Sequence, residues 1–354
     1  MLYVFTARKR RLLLSVSRQE APDTLLFGLN HVSRHGIDAD FHEPEYGRAG
    51  RLVARQVGRL GPDVLQLRTL PRFADYDVVF LTGAWPLLLA AQAIPAQRRP
   101  KLVWLNMTLT NVIRSGGPVA RVVAAAVQRA DRIVCIAEFQ RRFLHERLQI
   151  PYGRLPLVLS GTDAAFYDPD RVGTPIDRTD VLAAGRDAAR DYRTLFAALD
   201  STPLAARVVC SPRNLAGLTT PNGVSVRYDI PQTDLRAEYA AADAVVVPTH
   251  GDGSTVGSDC SGTLVLLDAL AMGRPAVITA GEPVADYITP GTHARTVAPG
   301  DSTGLRAELL ALRDDPVAAT RMARAGQERA RQALTSAHFA ERVAAVFEEV
   351  ISTR

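Results

Sequence analysis

Short apolar runs alternate with longer amphipathic stretches along this chain, and the alternation restarts once. In the first half Leu12–Val16, Ile37–Phe41, Asp77–Thr82, Lys101–Leu105 and Arg132–Ile136 have the length and flanking turn residues of buried strands. Asp23–Arg34 reads as a helix with Asp23 as N-cap and His35-Gly36 as its end, followed by helices over Pro86–Ala93, Pro118–Arg129 and Glu138–Leu148. In the second half Asp180–Ala184, Ala206–Cys210, Val224–Tyr228, Ala244–Pro248 and Ala276–Thr279 read as strands. Helices are predicted over Thr194–Leu199 and Thr263–Met272, after Gly300-Asp301, and through the alanine- and arginine-rich segment 316–351. Strand–helix–strand units with short crossovers predict doubly wound parallel sheets, hence an α/β fold. At 354 residues the chain exceeds one ordinary core, so two domains are expected. Proline, glycine and aspartate cluster between Pro156 and Pro169, as in a linker.

The richest chemistry lies in Ser258–Thr279. A polar, glycine-bearing loop runs into the helix Thr263–Met272, Gly273 supplies a left-handed stop, and Pro275 prevents continuation. A loop opening a helix presents unpaired N–H groups and the positive end of the helix dipole, so Gly262, Thr263 and Leu264 offer amides to an anion. Asp268 sits deeper in the helix among apolar neighbours, where a carboxylate needs a partner. A second cluster follows the strand Asp180–Ala184: Gly185, then Arg186 and Arg190 four positions apart at the head of a helix. Guanidinium groups bind phosphate as planar forks. Asp187 and Asp191 stand beside them as the ordinary alternative partners.

Leu-Leu-Asp-Ala-Leu-Ala-Met-Gly-Arg-Pro, residues 266–275, with the loop before it, resembles the nucleotide-sugar loop of GT-B glycosyltransferases of family 4. In that family two glutamates stand eight positions apart. Asp268 takes the place of the second, which holds the nucleotide ribose, and Cys260 takes the place of the first, with Asp259 adjacent. Arg186 and Arg190 resemble the family's arginine and lysine that grip the diphosphate. Residues 239–249 match the stretch before the donor loop, and 132–144 the last unit of the acceptor domain. The resemblance implies a GT-B fold, two Rossmann-like domains facing each other across a cleft. Its domains would be 1–170 for the acceptor and 171–335 for the nucleotide sugar, with a terminal helix in 336–354 crossing back onto the first. It implies transfer of a sugar from a nucleotide-sugar donor with retention of configuration. Arg186 and Arg190 would be catalytic; Gly185, Asp259, Gly262, Thr263, Leu264 and Asp268 would bind the donor, with neither metal nor cofactor. Two family features are absent. Gln19-Glu20-Ala21-Pro22 replaces the glycine pair before the first acceptor-domain helix, and no histidine follows Lys101–Leu105, where Asn106 and Thr108 stand instead. Neither of these is a general base near pH 7.

Composition narrows the partners. With 47% hydrophobic and 22% charged residues the chain is globular. No stretch approaches the ~18 uncharged apolar residues of a membrane span. Arg8-Lys9-Arg10-Arg11 before Leu12-Leu13-Leu14 lacks the apolar length and cleavage site of a signal peptide, so a cytoplasmic protein is expected. Cys135, Cys210 and Cys260 have neither metal-ligand nor disulfide spacing. Residues 1–170 carry a net +8 and the rest −3. That asymmetry suits an anionic acceptor or the anionic face of a membrane. Nucleic acid is not expected, because basic and aromatic residues do not alternate. Two other readings stand beside a transferase: a nucleotide-sugar epimerase of the same architecture, and a non-catalytic nucleotide-sugar-binding subunit.

Overall fold

The computed structural model describes residues 1–44, 66–173, 176–252 and 254–352. The chain divides into two compact units. Unit 1 comprises Met1–Ser17, Leu25–Val158 and Phe339–Arg354; unit 2 comprises Arg18–Thr24 and Leu159–His338.

Among the described residues, unit 1 is built on a parallel sheet of β1 (Leu2–Val4), β2 (Asp40–His42), β3 (Val78–Leu81), β4 (Lys101–Asn106) and β5 (Arg132–Cys135), in the order β2-β1-β3-β4-β5. The opening strand is therefore Leu2–Val4, and the expected strand Leu12–Val16 lies instead in the helix Arg10–Ser17. A central parallel strand is buried on both faces, as all three residues of β1 are. The arginine-flanked leucines cannot meet that condition, and no residue of their helix is buried. The single helix expected over Asp23–Arg34 is also replaced, by two 3₁₀ turns at Thr24–Leu26 and Val32–His35. Gly28, at a φ of 84°, brings the backbone so close to Ala340 that a Cβ would lie 3.1 Å from its Cα. Asp23 donates its N–H to the Asp163 carboxylate, 3.0 Å away. Gly36 does end the second turn in the left-handed region. The last helix, Ser336–Ser352, sets Phe347 edge-on to Phe80 and Tyr3, with ring centroids 5.2 and 6.3 Å apart. Such pairs add ~0.5–1.5 kcal/mol beyond burial.

Among the described residues, unit 2 has a six-stranded parallel sheet: β6 (Thr179–Ala184), β7 (Ala206–Cys210), β8 (Val224–Tyr228), β9 (Ala242–Val247), β10 (Ala276–Thr279) and β11 (Arg295–Val297). The order β11-β10-β9-β6-β7-β8 places a topological switch between β6 and β9, where an open α/β sheet leaves a crevice at its carboxyl edge. Leu182 and Ala184 pack with Leu266, Leu267 and Leu270 on one face. Val181 and Ala183 pack with Leu195, Leu199 and Leu309 on the other. Burying each leucine contributes roughly 1.5–3 kcal/mol. The helix Thr263–Ala271 is thereby fixed against the sheet, and with it the loop at its head. Among the described residues no helix is long and apolar enough to cross a membrane.

Candidate functional site

The site forms at the carboxyl edge of unit 2, around the β6/β9 switch. β6 runs out into Gly185, whose φ of 146° is open to glycine and strained for other residues. Its N–H donates to the Val209 carbonyl at 2.9 Å, and its carbonyl accepts the Tyr192 hydroxyl at 2.7 Å. Beyond it, the chain pairs with the segment that leaves β9. The Asp191 N–H donates to the Pro248 carbonyl at 3.1 Å, and the His250 N–H to the Ala189 carbonyl at 3.1 Å.

Arg190, between those two bonds, is turned inward and only 6% exposed. Its guanidinium lies over the two glycines. A Cβ on Gly185 would come within 2.2 Å of Nε, and one on Gly262 within 3.0 Å of Nη1. Gly262 itself has a φ of 96° and caps the helix Thr263–Ala271. Among the described residues, buried Nε and Nη1 of Arg190 have no hydrogen-bond partner. An unpartnered buried charge is expensive. A guanidinium stays protonated in any protein site, and an anion is its strongest partner.

Neither neighbouring aspartate neutralises this cation by a salt bridge. Asp187 accepts the Ala189 N–H at 2.8 Å and, from the loop, the Ser258 N–H at 3.1 Å and hydroxyl at 2.9 Å. Asp191 caps the helix Tyr192–Leu199 through the Thr194 N–H at 3.0 Å, with His250 Nδ1 3.7 Å away. Asp187 thus ties the donor-loop candidate to the end of β6. Arg186 parts from Arg190: it is half-exposed and pairs with Asp229 at 3.2 Å.

The remaining predicted residues divide. Gly262, Thr263 and Leu264 open the helix beside Arg190, and the first N–H groups of a helix lack partners within it. Asp259 and Cys260 are buried in the same loop. Asp252, beyond the strand end, accepts the Glu282 N–H at 2.9 Å and so heads the short helix Glu282–Ala285. Asp268 lies in the helix Thr263–Ala271 that the loop opens. Buried within the helix, it accepts the Thr162 hydroxyl at 2.6 Å and a hydrogen bond from Tyr167. Burial pushes its carboxyl up to about 7, against the pull of those two hydrogen bonds. Thr162 and Tyr167 had no signal in the sequence beyond lying in the linker stretch. In unit 1, Asn106 is buried and accepts the Leu109 N–H at 3.0 Å, so its carbonyl serves the local turn. Among the described residues no group of three His, Cys, Asp or Glu side chains is arranged to hold a metal ion.

Residues 197–315, within unit 2, match the family described as Glycosyl transferases group 1. Glycogen synthase from Mycobacterium tuberculosis is 38% identical over 104 residues, covering 29% of this chain. The chain spans 22% of the length of that relative. Solved structures are similar over the whole chain. Sucrose-phosphate synthase from Thermosynechococcus elongatus has a TM-score of 0.72 at 16% identity, covering 100% of this chain and 99% of that one. Anabaena HepE, solved in complex with UDP-glucose, has a TM-score of 0.73 at 16% identity, covering 98% of this chain and 99% of that one. The fold is that of GT-B glycosyltransferases, two parallel-sheet α/β units. The sequence is similar to group 1 glycosyltransferases across the part of unit 2 that leads into and contains the loop.

Proposed function

We propose that the chain is a glycosyltransferase whose unit 2 takes a nucleotide-sugar donor by its diphosphate and whose unit 1 takes the acceptor. The observation that carries this reading is Arg190, buried beside a helix N-terminus with two of its nitrogens unpartnered. In glycosyl transfer the bond from the anomeric carbon to the distal phosphate oxygen breaks, and its electron pair goes to the phosphate. A fixed cation and fixed amides favour that growing charge without having to reorganise. Arg190 and the amides at Gly262, Thr263 and Leu264 fill these roles. Arg186 stands by as a second cation that must leave Asp229 to join them. Retention of configuration and independence of metal follow from the resemblance to family 4. HepE, with its UDP-glucose and UDP complexes, supports a nucleotide-sugar ligand here by similarity of fold.

Asp268 enters as the residue that anchors the amide-bearing helix to Thr162. The ribose contact implied by resemblance is the alternative role for its carboxylate. The two separate in Asp268→Asn: an anchor leaves nucleoside and diphosphate affinities changed in parallel, whereas a ribose ligand lowers only affinities for compounds that contain ribose. On unit 1, the helix Arg10–Ser17 has no buried residue and sets Arg10 and Arg11 beside Leu14, which is 58% exposed. Such a basic amphipathic face suits peripheral contact with an anionic membrane or a lipid-linked acceptor. Binding to anionic but not neutral vesicles, weakening with salt, is the expected result.

The test of the transferase reading is calorimetry against a panel of nucleoside diphosphates and their sugars, followed by assay of nucleotide release. Tight binding of one nucleotide sugar with release of its nucleotide supports the reading. A donor that binds and is never turned over across acceptors and water would instead make the chain a binding subunit.

A further inference from the structure

The opposite edge of the unit 2 sheet carries a cavity that the donor reading leaves unused. Parallel strands bring all their amino ends to one edge. There Arg178 and Asp180 lie at the start of β6, Asp243 at the start of β9, and Arg274 just before β10. The helices Ser302–Asp314 and Pro316–Ala333 line the other side, with Arg313 and Arg324. The cavity measures about 450 Å³, within the ~300–1,000 Å³ of small-molecule sites. At ~3.3 Å per strand residue, the length of β6 separates it from Arg190 by roughly 20 Å.

Its charges do not cancel. Arg178 is paired with Asp243, and Asp180 accepts the Ala205 N–H at 2.7 Å. Arg313 turns to Asp314, 3.1 Å away. Arg274, Arg324 and the Asp180 carboxylate remain without an ion pair among the described residues, which leaves the lining with an excess of positive charge. Arg274 is partly buried and donates from Nη1 to the Ala242 carbonyl at 3.1 Å, while its buried Nε has no partner. Gly273, at a φ of 63°, ends the preceding helix and turns the chain so that Arg274 emerges here. The rest of the lining is largely apolar, with Leu204, Leu309 and Leu312. Those leucines belong to the core of unit 2 and form the cavity's apolar wall, against which an organic body can pack, while a purely apolar guest would leave the excess guanidinium charge without an anion.

We propose that this cavity is a second small-molecule site, taking an organic oxyanion whose phosphate or carboxylate head meets Arg274 and Arg324 and whose apolar body lies on Leu204, Leu309 and Leu312. Guanidinium forks accept either head group in the same bidentate manner. The site stands apart from the donor seat in both place and residues, so its fate does not depend on the transferase reading.

The experiment uses the full chain carrying Arg190→Gln, which removes the other candidate oxyanion seat. Phenyl phosphate, benzoate and inorganic phosphate are titrated by calorimetry. The better of the two organic probes should bind at one equivalent, at least tenfold more tightly than inorganic phosphate, and the preferred probe identifies the head group. Adding Arg274→Gln and Arg324→Gln should weaken it at least tenfold. Should Arg274→Gln compromise folding, the exposed Arg324→Glu alone should weaken binding at least threefold at an unchanged melting temperature. Failure of both organic probes to bind, equal affinity for inorganic phosphate, or indifference to Arg324→Glu would overturn the proposal.

Discussion

Two buried cations follow the first strands of the two sheets, and they are accommodated in opposite ways. Lys9, after β1 in unit 1, is 7% exposed and lies over the rings of Phe5 and Phe27, with Nζ 5.2 and 5.5 Å from their centroids. Burial lowers its ammonium to about 8, partly offset by the nearby Glu43 carboxylate. Arg190, after β6 in unit 2, is equally buried, has among the described residues no ring or carboxylate paired with its guanidinium, and lies over two glycines. Lysine can shed its proton when buried; arginine cannot. Near the switch point of unit 1, Gly83 lies against Thr6, where a Cβ would come within 2.5 Å of Thr6 Cγ2. A cation near a sheet's carboxyl edge therefore argues for a ligand only when the protein itself leaves it uncompensated.

If that distinction is right, buried groups able to change charge should show it in stability, whereas Arg190 should show it in binding. The largest effect is expected at Asp268, whose folded carboxyl is raised to about 7. The unfolded chain releases that proton near pH 4, so stability from this group is full below that value and is lost as pH rises to about 7. Asp268→Asn should remove this decline, on the order of 4 kcal/mol at most, when urea unfolding is compared at pH 4.5 and 8. Parallel pH profiles for the two proteins would mean the carboxyl is not raised.

Lys9 should behave in the mirror sense. Its folded amine, lowered to about 8, releases a proton that the unfolded chain holds until about 10.5, so stability rises across that window. Lys9→Met should abolish a rise on the order of 3 kcal/mol and leave nucleotide affinity within twofold. A large loss of nucleotide affinity would place Lys9 with Arg190 and end the contrast.

A smaller effect tests the cradle. Gly185→Ala adds a Cβ 2.2 Å from Arg190 Nε at a strained φ, so the guanidinium must move. Nucleotide affinity should fall about tenfold, or ~1.4 kcal/mol, by calorimetry. An unchanged affinity would show that the position of Arg190 over Gly185 is immaterial.

Much of this was legible in the sequence where local pattern decides. The strands Ala206–Cys210, Val224–Tyr228 and Ala276–Thr279 and the helix Glu138–Leu148 lie where apolar runs and turn residues put them. Leu12–Val16 failed because apolar content alone does not distinguish a strand from one turn-and-a-half of amphipathic helix, and Leu2–Val4 is too short to announce itself. Arg186 and Arg190 looked equivalent. What separates them is Asp229, 43 residues beyond Arg186 in the chain, and the approach of Gly262 to Arg190. Asp268 was recognisable as a carboxylate needing a partner, but Thr162 is 106 residues away and supplies that partner only through tertiary folding.

The central claim is that Arg190, and not its neighbour, is the cation waiting for the diphosphate. The most direct measurement is calorimetric affinity for the best-bound nucleoside diphosphate in Arg190→Gln and Arg186→Gln, side by side. Loss of a charged hydrogen-bonding partner costs roughly 1.5–3 kcal/mol, so Arg190→Gln should weaken binding about 10- to 150-fold. Arg186→Gln, which gives up a half-exposed pair with Asp229, should change it no more than about threefold. Equal affinities in Arg190→Gln and the unmodified chain, or a larger loss in Arg186→Gln, would contradict the account.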